Sequence, residues 1–200
     1  GADLESAIDL ANRAAGIVVN KFGTATVTTE ELASALHPVA RKILSADSIG
    51  HLDAQRSNGA RLVFTNGCFG ILAAGHVAYL NNAKKMGDIL LVAVNSDASV
   101  TELKGSERPI NVLQDRMSVL AGLEAVDYVI SFDSATPLSL IEQIRPDVLV
   151  KGGDYAPEDI VGATQVQSSG GLVKVLPFVE GLSTTAIVEK AHAAGLKEIK

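Results

Sequence analysis

Short runs of aliphatic residues recur beyond residue 60, and a polar or glycine-containing stretch follows each of them. The runs begin at Leu62, Ile89, Tyr128, Val148 and Leu172. Continuous apolar runs of this length are typical of strands that are buried on both faces of a parallel sheet. Between the runs, apolar residues recur every three or four positions, which predicts helices. The alternation predicts an α/β fold, a Rossmann-like, doubly wound parallel sheet with helices on both faces.

Residues 61–86 show the clearest strand–turn–helix pattern. A buried strand is predicted at 62–64, and breaker residues end it. Tyr79 and Met86 then lie on one face of a predicted helix, which Gly87 stops. The N-terminus of such a helix presents free backbone N–H groups and a partial positive charge, which suit a phosphate.

Two further helices can be placed by their end signals. Residues 47–58 are predicted to form a helix that stops at Gly59. Asn111 is predicted to cap a later helix, which carries Leu113 and Met117 on one apolar face.

Residues 1–45 differ from the rest of the chain. Residues 4–19 are rich in alanine and leucine at helical spacing, and Thr28 and Glu31 have the spacing of a capping box before a second helix. Two helices with a short link cannot enclose a core of their own. We therefore predict a helical N-terminal segment at 1–45, to which we assign no chemistry, and a larger α/β domain at 46–200.

The composition narrows the class of protein. Hydrophobic residues make up 47% of the chain and aromatic residues only 4%, which indicates an aliphatic core. The net charge of −6 argues against a general nucleic-acid-binding protein, because such proteins are usually basic. Cys68 is the single cysteine, so a reducing compartment fits. No apolar run approaches the roughly 18 residues of a membrane span, and no leader pattern is present. We expect a soluble cytoplasmic protein that binds neither nucleic acid nor a membrane.

Polar residues that follow the predicted strands are the candidates for chemistry, because ligands of open parallel sheets bind outside the carboxyl ends of the strands. His76 at a helix start is the best donor, and a histidine that only caps or packs is the alternative. Lys104 and Arg108 are flexible cations that can reach phosphates or form a solvated loop. Asn95 and Asp97 follow a strand, where an acid can bind sugar hydroxyls or cap the next helix.

Two later segments offer further ligand contacts. Gly152 and Gly153 follow Lys151 at a strand end and permit a flat base to approach the backbone closely. Residues 183–185, Ser-Thr-Thr, begin the last predicted helix and offer hydroxyls and amides to a phosphate. An ordinary N-cap is the alternative for these three residues.

The turn at 66–76 carries a recognisable signature. Asn-Gly-Cys-Phe at 66–69 and Ala-Gly-His at 74–76 resemble the nucleotidyltransferase family that marks this junction with a His-x-Gly-His motif. The chain is most similar to the adenylyltransferase part of the bifunctional heptose 7-phosphate kinase / heptose 1-phosphate adenylyltransferases. Those enzymes read G-C-F-D-x-L-H-x-G-H here and Lys-Gly-Gly-Asp-aromatic at residues 151–155. Residues 11–32 are similar to the last helices of the kinase domain in the same enzymes.

The resemblance implies a reaction and its ligands. The reaction is adenylyl transfer from ATP to D-glycero-β-D-manno-heptose 1-phosphate, which gives ADP-heptose and pyrophosphate for lipopolysaccharide core synthesis. Mg²⁺ is expected to enter with ATP and to be held largely by the phosphates, so no protein metal ligands are assigned. The resemblance also suggests a homodimer.

The resemblance implies a set of site residues as well. The catalytic residues are expected to be His76 and Lys104. The nucleotide- and phosphate-binding residues are expected to be Asn66, Gly67, Cys68, Phe69, Gly75, His76, Arg108, Lys151, Gly152, Gly153, Ser183, Thr184 and Thr185. The substrate-binding residues are expected to be Asn95, Asp97 and Lys104.

Two positions depart from the family pattern. Gly70 stands where the family has aspartate, and Ala73 stands where it has the first histidine. A methyl group donates no hydrogen bond, and loss of one donor to a developing oxyanion typically costs about 100- to 1000-fold in rate. We therefore predict an impaired adenylyltransferase, with a catalytically weak or inactive nucleotide-binding module as the alternative. A dinucleotide-binding oxidoreductase is disfavoured, because residues 67–70 lack the G-x-G-x-x-G spacing.

Overall fold

The chain divides into two compact units, residues 1–42 and residues 43–200. The computed structural model describes residues 3–19, 21, 23–29, 31–32, 39–45, 48–56, 59–153 and 155–177. Ile43 and Leu44, which the sequence prediction placed in the N-terminal segment, form a strand of the sheet in the larger unit.

The smaller unit contains helix α1, Leu4–Val19, with the bounds predicted from its periodicity. The predicted capping box is present, because the Glu31 N–H donates to Thr28 Oγ1 over 3.2 Å and the Thr28 N–H donates to the Glu31 carboxylate over 2.9 Å. Lys21 Nζ also donates to Glu31 over 2.7 Å, and this bond is the main reason that the pKa of Glu31 lies below its usual value. Most of the second predicted helix lies outside the described residues.

The larger unit is built on a parallel sheet, to which the described residues contribute six strands. In chain order they are β1 (Ile43–Leu44), β2 (Leu62–Gly67), β3 (Ile89–Asn95), β4 (Tyr128–Phe132), β5 (Val148–Gly152) and β6 (Leu172–Leu176). The strand order is β1-β4-β3-β2-β5-β6, and every neighbouring pair is parallel. The parallel sheet predicted from the aliphatic runs is therefore confirmed.

Six described helices accompany the sheet. They are α2 (Gly50–Arg56), α3 (Ala74–Lys84), α4 (Asp97–Lys104), α5 (Leu113–Ala121), α6 (Leu138–Ile144) and α7 (Ala163–Ser168). Helix α7 was not predicted, because its sequence ATQVQS is mostly polar.

The core lies on both faces of the sheet, since successive strand side chains point to opposite faces. Phe64 of β2 belongs to one cluster, with Leu52 of α2 and Ile141 of α6, whereas Val63 of β2 belongs to the other, with Leu80 of α3. These five side chains are 0% or 1% exposed. Helices on both faces confirm the predicted doubly wound fold.

The observed elements differ from the predicted ones at several ends. Strand β2 continues through Gly67, so the predicted breaker residues are still paired with β3. Strand β1 was missed because it has only two residues and lies at the sheet edge. Asn111 does not cap α5: Val112 is the N-cap residue, and Asn111 instead donates to the carbonyl oxygen of Gly70 over 2.9 Å.

Strand β2 is the topological switch point, because the chain continues to β3 on one side of it and later returns to β5 on the other. Neighbouring loops diverge at such a point, and the crevice outside the carboxyl ends of the strands receives the ligand. The crevice here lies after Gly67 of β2 and Gly152 of β5. No helix within the described ranges is long and apolar enough to cross a membrane.

The segment between α3 and β3 passes close to the start of β2, which predicts a difference between two glycines. A Cβ at residue 87 would lie 2.7 Å from the Arg61 carbonyl oxygen, whereas a Cβ at Gly70 would meet no atom within 4 Å. We expect Gly87→Ala to lower the unfolding free energy by about 1–3 kcal/mol, as overpacking does. Gly70→Ala is the matched control and should change it little. Urea denaturation of both variants checks this, and equal midpoints would contradict the packing that we describe.

Candidate nucleotide site

The turn between β2 and α3 has an unusual backbone at Phe69, whose φ of +47° is rare for a residue with a side chain. The Phe69 ring is buried, with 9% of the residue exposed, and packs with Val63 and Leu80 in one core cluster. A Cβ at residue 67 would lie 3.2 Å from this ring, so the glycine there makes room for it. The structure therefore gives Gly67 and Phe69 roles in shaping the turn.

His76 lies in the first turn of α3, and its Nδ1 accepts the N–H of Ala73 over 3.2 Å. Its ring meets the Phe69 ring edge to face, with centroids 5.8 Å apart. Burial, and secondly the positive charge of Lys104, hold the pKa of His76 below its usual value. The neutral ring, with Nδ1 engaged as an acceptor, carries its proton on Nε2 as a donor.

Ala73 is the N-cap residue of α3, and its methyl group makes no capping hydrogen bond. Only half of a capping box is therefore present, the bond from the Ala73 N–H to His76. Gly70 precedes it in the same turn, where an added side chain meets open space. Both departures from the family pattern thus lie on the turn that presents His76.

Tyr79 fastens α3 to the sheet beneath this turn. Its hydroxyl lies 2.7 Å from Thr65 Oγ1 and donates to the Val150 carbonyl oxygen over 3.2 Å. Burial raises the pKa of Tyr79 to about 12, so the phenol is neutral at physiological pH. Because Thr65 lies on β2 and Val150 on β5, this side chain spans the switch point.

Lys151 lies at the carboxyl end of β5 and reaches across to β2. Its Nζ donates to Asn66 Oδ1 over 3.1 Å, with the Asn66 carbonyl oxygen at 3.4 Å. Burial lowers the pKa of Lys151, and interaction with the Cys68 thiol opposes that shift in part. A poorly solvated cation at this position is suited to bind an anion such as a phosphate.

The two glycines after Lys151 continue the same edge. Gly152 is the last residue of β5 and pairs with Leu176 of β6. Gly153 is buried, has a φ of +124° and donates its N–H to the Leu176 carbonyl oxygen over 3.0 Å. This conformation is rare for residues with a side chain, so the backbone at Gly153 requires glycine.

The two predicted cations lie at the end of α4 and in the segment that follows it. Lys104 is the exposed last residue of α4, and its charge acts on His76. Arg108 is half-buried in the segment that follows, where its carbonyl oxygen accepts the Thr101 hydroxyl over 2.7 Å. Lys104 therefore acts electrostatically on His76, and phosphate binding by Lys104 and Arg108 stays a prediction.

Asn95 and Asp97 are engaged by the protein itself. Asn95 is 4% exposed and donates to Ser99 Oγ over 3.0 Å. Asp97 accepts Arg116 Nη2 at 2.6 Å on one carboxylate oxygen and the Leu113 N–H at 3.2 Å on the other. The cap of α4 is Ser96, whose hydroxyl accepts the Ser99 N–H, so the alternative prediction of a cap at Asp97 was one residue late. Substrate binding by these two residues stays a prediction.

One buried residue was not among the predicted site residues. Arg116 of α5 is 2% exposed and contacts both Asp97 and the carbonyl oxygen of Cys68. A signal was present in the sequence, because Arg116 occurs at helical spacing from Leu113 and Leu120, on the apolar face.

The comparison with protein families agrees with this geometry. The family model described as cytidylyltransferase-like matches residues 64–190, which include the β2–α3 turn and the end of β5. The chain belongs to the cytidylyltransferase-like family.

Relatives of this cytidylyltransferase-like chain carry the name Bifunctional protein HldE. The chain is 54% identical over 199 residues to the one from Pseudomonas paraeruginosa and 54% identical over 194 residues to the one from Pasteurella multocida. These matches cover 98% and 95% of the chain but only 42% and 41% of the relatives, so the chain spans less than half of their length. A solved lipopolysaccharide core biosynthesis protein from Thermoplasma volcanium is 27% identical, with a TM-score of 0.49 over 60% of this chain and 98% of that one.

One predicted part of the cytidylyltransferase-like site lacks a structural account. Ser183, Thr184 and Thr185 lie outside the described residues, so their phosphate contacts stay predictions. Among the residues that the structure describes, no three His, Cys, Asp or Glu side chains lie together as metal ligands.

The lowered pKa of His76 predicts how stability depends on pH. The unfolded chain, with a histidine pKa of about 6.5, takes up a proton before the folded chain does, so stability falls as the pH drops below about 6.5. In His76→Asn, an amide oxygen replaces Nδ1 as the acceptor and does not titrate. Urea unfolding between about pH 8 and pH 5 should show a smaller loss of stability in the variant than in the parent. Parallel pH profiles would show that His76 is not held in its neutral form.

Proposed function

We propose that the chain is a nucleotidyltransferase that transfers the adenylyl group of ATP to a sugar 1-phosphate. A phosphate oxygen of the sugar phosphate attacks the α-phosphorus of ATP and forms a new P–O bond. The bond from the α-phosphorus to the oxygen that bridges it to the β-phosphorus breaks, and pyrophosphate leaves with that electron pair. The protein positions the two polyanions and stabilises charge that develops on the phosphate oxygens.

The observation that carries this proposal is the convergence of cations and donors at the switch point. His76 is presented by the turn after β2, Lys151 by the end of β5, and Lys104 by the end of α4. Asn66 and Lys151 are hydrogen-bonded across the crevice, and Lys104 acts electrostatically on His76. A triphosphate is a ligand whose charge can engage all three cationic or donor groups.

His76 and Lys151 have different roles in this proposal. Neutral His76 donates Nε2–H to a phosphate oxygen that gains charge as the leaving pyrophosphate separates. Lys151 supplies a full positive charge that burial has made poorly solvated, so a phosphate beside it relieves that cost. The first N–H groups of α3 add donors and the positive end of the helix dipole.

The choice of heptose 1-phosphate rests on sequence similarity. The motifs at 66–76 and 151–155 resemble heptose 1-phosphate adenylyltransferases, and relatives named HldE share 54% of the aligned residues. Lys104 is the last residue of α4 and Arg108 follows it, and both are proposed to border the sugar phosphate. The product is then ADP-heptose for the lipopolysaccharide core.

Mg²⁺ is proposed to enter with ATP. The described residues offer no set of carboxylates that fits a metal cage, and Mg²⁺ commonly keeps waters and binds through substrate phosphates. When bound, it neutralises phosphate charge.

A nucleotide-binding module with weak or no catalysis is the second candidate. Ala73 favours it, because this N-cap residue has no side-chain donor where the family has its first histidine. Both candidates predict ATP binding at the same edge, and they differ only in the release of pyrophosphate.

A homodimer and a cytoplasmic location stay predictions that accompany this proposal. So does the similarity of residues 11–32 to the end of a kinase domain. None of them is needed for nucleotide binding at the switch point.

The two departures generate the test of this function. Gly70→Asp with Ala73→His should raise pyrophosphate release from ATP and heptose 1-phosphate by about 100- to 1000-fold, the usual worth of one oxyanion donor. The expected change in stability is small, because a Cβ at Gly70 meets no atom within 4 Å and Ala73 is an extended N-cap residue. Steady-state rates of the parent, both single variants and the double variant are the measurement, because coupled residues recover activity together.

Ala74→His in the Gly70→Asp background is the matched control. Residue 74 is exposed and adjacent to residue 73, so the substitution adds an imidazole to the same turn at the wrong position. The control should stay near the parental rate. Equal rates for the parent and the double variant would show that this turn does not limit the chemistry. ATP binding without any pyrophosphate release in the double variant would favour the second candidate.

A further inference from the structure

Arg116 is the one charged residue that is buried among the described residues, with 2% exposed. Arginine does not deprotonate in proteins, so its charge and donors require partners in the interior. The adenylyl transfer proposed above leaves Arg116 without a role. Its contacts therefore show what this buried charge organises.

The guanidinium joins three segments of the chain. Nη1 donates to the Cys68 carbonyl oxygen over 2.6 Å, Nη2 to Asp97 Oδ1 over 2.6 Å and Nε to the Asn111 carbonyl oxygen over 3.0 Å. The first contact lies on the β2–α3 turn, the second at the start of α4 and the third just before α5. One side chain thus connects the turn to both ends of the segment 97–111, which includes Lys104.

The backbone of the turn is held on both sides of its strained residue. Phe69, with φ of +47°, lies between Cys68 and Gly70, and the carbonyl oxygen of each accepts a hydrogen bond from a side chain in or just before α5. Arg116 binds the Cys68 carbonyl, and Asn111 Nδ2 binds the Gly70 carbonyl over 2.9 Å. A residue in the left-handed region persists only where its surroundings fix it, and here they do so at both neighbouring peptides.

The conformation of Phe69 bears directly on His76. The two rings meet edge to face with centroids 5.8 Å apart, so a change in the backbone at 69 moves the surface on which the imidazole rests. Cys68, whose carbonyl Arg116 holds, also interacts with Lys151 and lies 3.8 Å from Asn95 through its sulfur. The position of His76 therefore depends on the course of residues 68–70, and Lys151 interacts electrostatically with Cys68 of the same turn.

We propose that Arg116 is a positioning residue: by holding the Cys68 carbonyl and Asp97 together, it fixes the turn that presents His76 to the nucleotide. The expected effect of Arg116 on ATP binding rests on the proposed function, whereas its effect on the conformation of the turn does not. The planar fork suits this task, because it donates in parallel to a carbonyl and a carboxylate. Lysine has a single ammonium group and cannot reproduce both directions.

The chain contains a matched control at the opposite edge of the sheet. Arg56 Nη1 donates to the Ile144 carbonyl oxygen over 2.9 Å and Nη2 to Asp147 Oδ1 over 3.1 Å, while Asp147 Oδ2 accepts the Leu62 N–H over 2.7 Å. Arg116 has the same arrangement of a carbonyl, an aspartate and a backbone N–H, since Asp97 also accepts the Leu113 N–H. Arg56 lies far along the strands from the turn, before the amino end of β2, so its loss removes stability without reaching residues 68–70.

The test uses Cys68 as a probe, because it is the single cysteine of the chain and lies in the turn. The rate of its reaction with dithiobis(nitrobenzoate) is measured without denaturant in the parent, Arg116→Met, Arg116→Lys and Arg56→Met. The unfolding midpoint and the ATP dissociation constant by calorimetry are measured on the same samples.

We expect Arg116→Met to raise the Cys68 rate at least tenfold and to weaken ATP binding at least tenfold. Arg116→Lys should lie between it and the parent, and Arg56→Met should lower the midpoint but change the other two values less than twofold.

An independent variant covers the case in which Arg116→Met does not fold. Asn111→Ala removes the second bond to the turn from an exposed residue, and it should also raise the Cys68 rate while the midpoint stays near the parental value. The proposal is overturned if Arg116→Lys and Asn111→Ala leave the Cys68 rate unchanged, or if Arg56→Met raises it as much as the Arg116 variants do. A parent that binds no ATP refutes the proposed function alone, since the Cys68 rate still decides the positioning role.

Discussion

The pairing of β2 with a parallel strand on each side is the constraint on which the rest of the larger unit depends. Leu62 to Gly67 pair with β3 over the whole strand, and Val63 and Phe64 also pair with β5. Val63 and Phe64 are 0% exposed on opposite faces, so neither face of the strand is available to solvent. Full burial of such side chains contributes about 1.5–3 kcal/mol each and requires helices on both faces. Helices on both faces leave the ends of the strands to polar residues, and the candidate site lies at the carboxyl ends, where the strand order places the switch point.

The same burial explains the electrostatics of the candidate site. Lys151 and His76 both lie close to the core, and desolvation is the main cause of the lowered pKa of each. Within the described ranges, the hydrogen-bond partners of these two side chains are not carboxylates: His76 Nδ1 accepts the Ala73 N–H, and Lys151 donates to Asn66. The carboxylates of this edge are engaged elsewhere, as Asp97 is by Arg116. The edge therefore presents a poorly solvated lysine and a neutral histidine side by side with carboxylates that are already paired.

The parts of the fold that could be predicted were those set by local periodicity. The strands at 89, 148 and 172 begin where the aliphatic runs begin, because strands buried on both faces leave a continuous apolar signal. Tertiary partners decided the rest. Asn111 has the residue type of a cap, but the Gly70 carbonyl, 41 residues away, takes its amide. The partners of Arg116 lie 19 and 48 residues away, so its position on an apolar helix face pointed to a buried charge without naming what it holds.

A structure with a nonhydrolysable ATP analogue bound tests the central claim most directly, that the carboxyl edge at the switch point is the nucleotide site. We expect phosphate oxygens within hydrogen-bonding distance of His76 Nε2 and near Lys151, with adenine against the backbone of Gly152 and Gly153. Phosphates at the amino edge of the sheet, beside Asp127 and Asp147, would contradict it. So would a nucleotide at the carboxyl edge that contacts neither His76 nor Lys151.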